Sequence, residues 1–276
     1  GIPVFEESAI TYGLNDASHS IQAAFFDYDL DGDLDMYLMD HNPQTFRSQV
    51  DREVFSVLGD KLYSTEAGKY VIKTKEVGIL SNSISYGLGL GVSDLNMDGW
   101  PDVYISNDYD ERDYMYLNQK DGTFKEVIRQ ATNHISNFAM GNDIADFDND
   151  GDLDLVVNNI DEPATLLKNN SSKNYLQFQF KGDTKNPFGT GVHVEIKTKN
   201  GKQIIENYPT RGYQSSVEPI LHFGLNTLES VESITVIWPD NKIQTIKKIK
   251  TNQRLTVNYS DAQPTNQHNR KQNNTL

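Results

Sequence analysis

The residues with the most chemical potential in this chain are aspartates, and they recur at one spacing. A nine-residue pattern appears as Asp27-Tyr-Asp-Leu-Asp-Gly-Asp-Leu-Asp35, as Asp94-Leu-Asn-Met-Asp-Gly-Trp-Pro-Asp102 and as Asp146-Phe-Asp-Asn-Asp-Gly-Asp-Leu-Asp154. Each copy has Asp or Asn at positions 1, 3 and 5, Gly at 6 and Asp at 9. Alternating side-chain oxygens of this kind converge when the backbone curls. A calcium ion takes about 6–8 oxygens at roughly 2.3–2.6 Å. Glycine at position 6 permits the sharp turn. Position 7, occupied by Asp33, Trp100 and Asp152, offers its backbone carbonyl, so its side chain is free to vary. Close carboxylates repel by about 1 kcal/mol per pair even in water-like dielectric. An empty acidic hairpin tip is therefore the less favoured reading.

The EF-hand shares the first half of this pattern but needs a bidentate Glu at its twelfth position. That position here is Leu38, Ile105 or Val157. The segments after the loops, beginning Met36-Tyr-Leu, Val103-Tyr-Ile and Leu155-Val-Val, are short, aromatic and β-branched. Ile21-Gln-Ala-Ala-Phe-Phe, Gly87-Leu-Gly-Leu-Gly-Val and Gly141-Asn-Asp-Ile-Ala precede them. All read as strands, so the unit is strand, calcium loop, strand. Between loops, Tyr114-Met-Tyr-Leu-Asn-Gln-Lys-Asp-Gly-Thr-Phe-Lys-Glu-Val127 reads as a hairpin, and Leu62-Tyr-Ser-Thr-Glu-Ala-Gly-Lys-Tyr as a worn copy of it. Val4-Phe-Glu-Glu-Ser reads as the last strand of an earlier hairpin. About four strands per period make the blade of a β-propeller.

The rest of the chain has a different character. Residues 1–162 hold 31 acids and 10 bases, a net −21, while residues 163–276 hold 8 acids and 15 bases, a net +7. Such asymmetry separates two units. From Tyr175 to Tyr259, seven segments alternate with period two, separated by turn residues, which suggests a β-sandwich. The tail from Gln263 to Leu276 is polar and aperiodic, and reads as linker. The chain has no cysteine, which excludes disulfides, thiolate metal sites and cysteine nucleophiles. No apolar run reaches the roughly 18–20 residues of a membrane span. The acidic half repels phosphate backbones, so no nucleic acid is expected as a partner.

The loop, the strand after it, the Tyr-Leu-Asn strand and the Asp-Gly-Thr-Phe turn resemble the FG-GAP/VCBS repeat over roughly residues 1–170. The resemblance implies calcium-binding propeller blades and about three bound ions. Asp27, Asp29, Asp31 and Asp35 would hold one. Asp94, Asn96, Asp98 and Asp102 would hold the second, weakened by the missing charge at Asn96. Asp146, Asp148, Asp150 and Asp154 would hold the third. The segment from Asn174 resembles the ASPIC/UnbV domain through Arg211-Gly-Tyr-Gln-Ser-Ser, Leu221-His-Phe-Gly-Leu225 and Val236-Ile-Trp-Pro-Asp240. The combination is similar to the cartilage acidic protein family and to exported Bacteroidetes proteins.

The expected fold is thus all-β, a partial or open propeller of about three blades plus a C-terminal β-sandwich-like domain. The expected boundaries are 1–171 for the repeats, 172–260 for the second domain and 261–276 for the tail. Since three repeats do not close a ring, the chain is expected to be part of a longer protein or an open array. No His-Glu-x-x-His, nucleophile elbow or P-loop occurs, and no catalytic residue is assigned. His222, in an alternating strand, is read as structural. Trp100, Tyr109, Tyr114 and Tyr116 are candidates for a sugar platform, with blade packing the favoured reading. The expected function is a non-enzymatic, calcium-stabilised binding module recognising a protein or glycan, outside the cell or at a bacterial outer-membrane surface or periplasm. The alternatives are a polysaccharide-active enzyme component and a purely structural spacer.

Overall fold

A computed structural model describes residues 4–41, 58–109, 111–136, 138–209 and 216–264. Within them, five β-sheets carry the fold. The first is a meander of β1 (Ser20–Phe26), β2 (Asp35–Asp40), β3 (Lys61–Glu66) and β4 (Lys69–Ile72). The second repeats it with β5 (Gly87–Ser93), β6 (Asp102–Asn107), β7 (Tyr114–Asn118) and β8 (Phe124–Glu126). The third has β9 (Ala139–Ala145), β10 (Asp154–Asn159) and β11 (Thr165–Leu167). The helices α1 (Ala9–Tyr12) and α2 (Ile128–Ala131) are single turns. Residues 4–8 form no strand, contrary to the expectation for Val4-Phe-Glu-Glu-Ser, and the Val4 and Phe5 side chains are exposed. Nothing pairs with that segment among the described residues, so its alternation has no ladder to join.

The remaining chain builds two further sheets. One orders β15 (Ile220–Asn226), β12 (Asn174–Lys181) and β18 (Gln253–Asn258). The other orders β14 (Gly201–Glu206), β13 (His193–Thr198), β16 (Ser230–Ile237), β17 (Lys242–Lys250) and β19 (Gln263–Pro264). Strand β12 runs antiparallel to β15 and parallel to β18. An all-β, propeller-type arrangement was expected with about three blades; five sheets are present, three carrying acidic loops and two without them. The Arg211–Ser215 stretch and residues 265–276 of the tail lie outside the described residues.

Period-two alternation decides what each sheet buries. Tyr37, Met39 and Leu62 of the first sheet pack against Val103, Ile105, Tyr114 and Tyr116 of the second in one core. Tyr114 and Tyr116 are thus core residues, which removes them from any sugar platform. Tyr104, Ala139, Leu155 and Val157 join the second sheet to the third. A Cβ on Gly89 would lie 2.8 Å from the Asn142 side chain, so glycine there lets β5 approach β9 closely. Leu176, Phe178, Phe223, Val194, Ile196 and Val236 share a third core between the last two sheets.

Candidate metal centres

Each acidic loop connects the first and second strands of a meander, and the pairing is the same in all three. Phe26 pairs with Asp35, Ser93 with Asp102 and Ala145 with Asp154. The residue before the loop and the aspartate at position 9 therefore close it as a β-pair. This brings position 9 back to position 1. The turn inside the loop needs left-handed backbone twice. Leu30, Met97 and Asn149 at position 4 have φ of 58°, 56° and 60°. Gly32, Gly99 and Gly151 at position 6 have φ of 101°, 95° and 98°. Side chains in that region carry strain, which persists where the surroundings over-determine it.

Backbone donors fix the carboxylate at position 9. Asp35 Oδ2 accepts from Tyr28 N (3.2 Å) and Oδ1 from Thr65 N (2.9 Å). Asp102 accepts from Leu95 N (2.9 Å) and Asn118 N (2.9 Å). Asp154 accepts from Phe147 N (3.1 Å) and Asn169 N (2.9 Å). One oxygen thus ties the loop to itself and the other to the third strand of the same sheet or, for Asp154, to the residue two past that strand's end.

The loops then differ in what they gather. Carboxylate oxygens of Asp27, Asp29 and Asp35 lie within 4.8 Å of one another, as do those of Asp146, Asp148 and Asp154. The second loop does not gather three carboxylates so closely; Asn96 stands at its position 3 and Lys120 Nζ lies 2.9 Å from Asp98 Oδ2. In the third loop Lys168 Nζ pairs with Asp148 and, at 3.2 Å, with Asp150 Oδ2. Asp31 is exposed, and its Oδ1 accepts from Asp33 N (3.1 Å). Of the position-7 residues, Asp152 is buried at 2% exposure with neither carboxylate oxygen hydrogen-bonded by the protein.

Electrostatics follow from this crowding. Burial, then the neighbouring Asp29 and Asp31 charges, pushes the Asp27 carboxyl up to about 6 against the hydrogen bond from Gly32 N. Burial pushes Asp35 and Asp94 up to about 7. Asp102 is raised well above the ordinary carboxylate range, first by burial and then by the Asp94 charge. Asp29 and Asp152 are raised too, by burial and by Asp31 and Asp150 respectively. Without a cation, these loops hold carboxylates where ionisation is disfavoured.

The donor set fits a hard divalent cation, because every side chain offered is an oxygen ligand. One observation supports the fit directly. Asp146 is buried at 7% exposure, and its Oδ1 has no hydrogen-bond partner in the protein. A buried carboxylate oxygen with no donor is costly unless something supplies positive charge.

Several residues at these centres escaped the sequence reading. Asn118, the last residue of β7, and Asn169, two residues past β11, donate into the loops. Lys120 and Lys168 follow those strands and meet loop carboxylates. Gln177, His222 and Gly224 come from the C-terminal sheet. The recurring Asn after the third strand was the one available signal. His222 is buried as expected, with Nε2 3.0 Å from Gly151 O, and burial lowers its pKa below the ordinary histidine value. Trp100 is half-buried within the second loop and Tyr109 is 45% exposed.

Comparison with known proteins agrees with these local features. Residues 94–157 match the FG-GAP-like repeat, and residues 182–264 match the ASPIC and UnbV domain. The chain is similar to cartilage acidic protein 1 of Homo sapiens, 32% identical over 110 residues, covering 37% of this chain and 16% of that protein. It is 33% identical over 112 residues to cartilage acidic protein 1 of Xenopus tropicalis, covering 38% of this chain and 17% of that protein. The matched region is therefore well under a fifth of those relatives.

Proposed function

We propose that this chain, which joins an FG-GAP-like repeat to an ASPIC and UnbV domain, is a calcium-stabilised binding module of an extracellular or surface protein and has no catalytic role. The observation that carries the calcium reading is the pair of carboxylate triads, Asp27/Asp29/Asp35 and Asp146/Asp148/Asp154, held by the same hairpin closure. The side chains at positions 1, 3, 5 and 9 would hold the ion together with the carbonyl of position 7, and the backbone donors on position 9 would anchor the loop. The ion supplies the positive charge that allows these aspartates to ionise together. The three meanders carry the acidic loops, and the last two sheets share one core.

Recognition of a protein or glycan partner rests on placement. Loops on rigid sheets vary without disturbing the core, and binding residues concentrate there. Similarity to cartilage acidic protein 1 supports a place outside the cell. No helix among the described residues is long and apolar enough to cross a membrane. The test combines arrays of glycans and surface proteins, run with calcium and with chelator, and a broad hydrolase panel. Calcium-dependent binding without turnover is expected. Turnover abolished by mutating an acid outside the three loops would overturn the reading.

A further inference from the structure

The three loops share a sequence pattern but not an environment. Around the first, a Cβ on Gly32 would meet nothing within 4 Å. Around the second, a Cβ on Gly99 would lie 3.0 Å from Gln203 Nε2. Around the third, a Cβ on Gly151 would lie 2.0 Å from the Tyr175 ring. Position 1 follows suit: Asp27 is half-buried, while Asp94 and Asp146 are buried. The cover over the second and third loops is the C-terminal β15–β12–β18 sheet, joined at the second loop by Gln203 of β14.

The part of that cover common to both loops is one face of the β15–β12–β18 sheet. Leu176, Phe178, Leu221, Phe223 and Val257 turn into the C-terminal core. Tyr175, Gln177, His222, Gly224 and Arg254 alternate with residues of that core and belong to the opposite face. His222, Gln177 and Arg254 form one cross-strand row. Gln177 Nε2 donates to Asp146 Oδ2 at 2.7 Å, and Gln177 Oε1 accepts from Arg254 Nε at 2.7 Å. His222 Nε2 lies 3.0 Å from Gly151 O. One row away, the Asp94 carboxylate and Met97 backbone sit so close to Gly224 that a Cβ there would lie 1.8 Å from Asp94 Oδ2. Asn226 N donates to Met97 O at 2.9 Å.

Gln177 thus fixes one oxygen of Asp146 and leaves Oδ1, which has no protein partner, for an ion. Outer residues that orient a metal ligand typically contribute 10–100-fold in affinity. We infer that the C-terminal sheet completes the second and third cation loops. Gln177 and Gly224 are positioning residues, and ion occupancy at those loops and docking of the sheet rise and fall together. The first loop stands outside this coupling. Linkage makes the effect reciprocal: a docked sheet tightens the ion, and the ion tightens the docking.

This inference rests on the calcium reading, and its test separates the two. Metal-stripped full-length chain is titrated with calcium by calorimetry as wild type, Gln177→Met and Gly224→Ala. Asp29→Asn and Asp148→Asn backgrounds assign heats to the first and third loops. Gln177→Met is expected to weaken the class lost in Asp148→Asn by roughly tenfold, and to leave the class lost in Asp29→Asn unchanged. Gly224→Ala is expected to weaken the second loop; should that variant misfold, Gln177→Met still decides. In the wild type, calcium should slow hydrogen exchange of the Asn226 amide. Equal weakening of all classes, or none, with Asn226 exchange indifferent to calcium, would overturn the coupling while leaving calcium binding intact. No calcium heat in the wild type would instead refute the proposed function on which the coupling depends.

Discussion

Asn118 at the end of β7 donates its Nδ2–H to the carbonyl of Tyr28, 2.7 Å away and one sheet back. The third sheet repeats the device: Asn169 Nδ2 donates to the carbonyl of Leu95 at 2.8 Å. Tyr28 and Leu95 both occupy position 2 of an acidic loop. Each of these asparagines also gives its backbone N–H to the position-9 aspartate of its own loop. One residue type therefore ties a loop to its own sheet and to the loop before it. Asn118→Ala should destabilise the chain by about 1–3 kcal/mol, because it strands a buried carbonyl. Asn118→Asp should be worse, since a carboxylate would face the carbonyls of Tyr28 and Pro101. Urea unfolding in excess chelator measures both; an Asn118→Ala midpoint equal to wild type would contradict the bridge.

Two glycines with nearly the same backbone should differ in what they tolerate. Gly32 and Gly151 have φ of 101° and 98°. Gly32→Ala adds strain alone, about 1–2 kcal/mol. Gly151→Ala adds the same strain and drives a methyl into the Tyr175 ring. In chelator, the second variant should melt several degrees below the first. Matching melting temperatures would mean that Tyr175 does not rest on the third loop.

Lys168 holds Asp148 and Asp150 with its ammonium, where a divalent ion needs both. Lys168→Met removes that competitor. Calcium affinity at the third loop should therefore rise. A fall in affinity on calorimetric titration would show that the lysine assists the ion.

The pH dependence of the ion-free chain has a definite sign. Asp27 sits at about 6, and Asp35 and Asp94 at about 7, against an ordinary 3.8. Between pH 4 and 7 the folded chain binds more protons than the unfolded chain, so stability falls as pH rises through that window. A cation replaces those protons, so the stabilisation by calcium should grow from pH 5 to pH 8. Asp60, pushed up to about 7 by burial, and Asp113, to about 6, lie outside the loops. Their share of the slope should survive saturation with calcium. Melting temperatures across that range, with calcium and with chelator, test both parts; a calcium shift that shrinks toward pH 8 would contradict the first.

Local chemistry was legible in the sequence because it lies in consecutive residues. The Asp-x-Asp-x-Asp-Gly-x-x-Asp spacing located all three loops, strand-like composition located β1, β5 and β9, and alternation located the strands from β12 to β18. What lay across the chain was not legible. Alternation places Gln177, His222 and Arg254 on the face opposite Leu176 and Phe178, and a polar face reads as solvated. Nothing in a period of two tells that the third acidic loop, with Asp146 31 residues before Gln177 and Gly151 71 residues before His222, presses against that face. Tyr114 and Tyr116 could not be told from platform aromatics either, until the first sheet was seen to cover them. Val4 to Ser8 carries a strand-like composition without a partner strand among the described residues.

If the acidic loops bind calcium as proposed, folding depends on that ion. At calcium a hundredfold above the dissociation constant, each occupied site stabilises the fold by about 2.7 kcal/mol. The most direct test is differential scanning calorimetry of the full chain, calcium-loaded and in excess chelator, beside Asp29→Asn and Asp148→Asn. A large drop in melting temperature is expected on chelation, and part of that drop in each variant in calcium. A melting curve that chelator leaves unchanged would contradict that dependence.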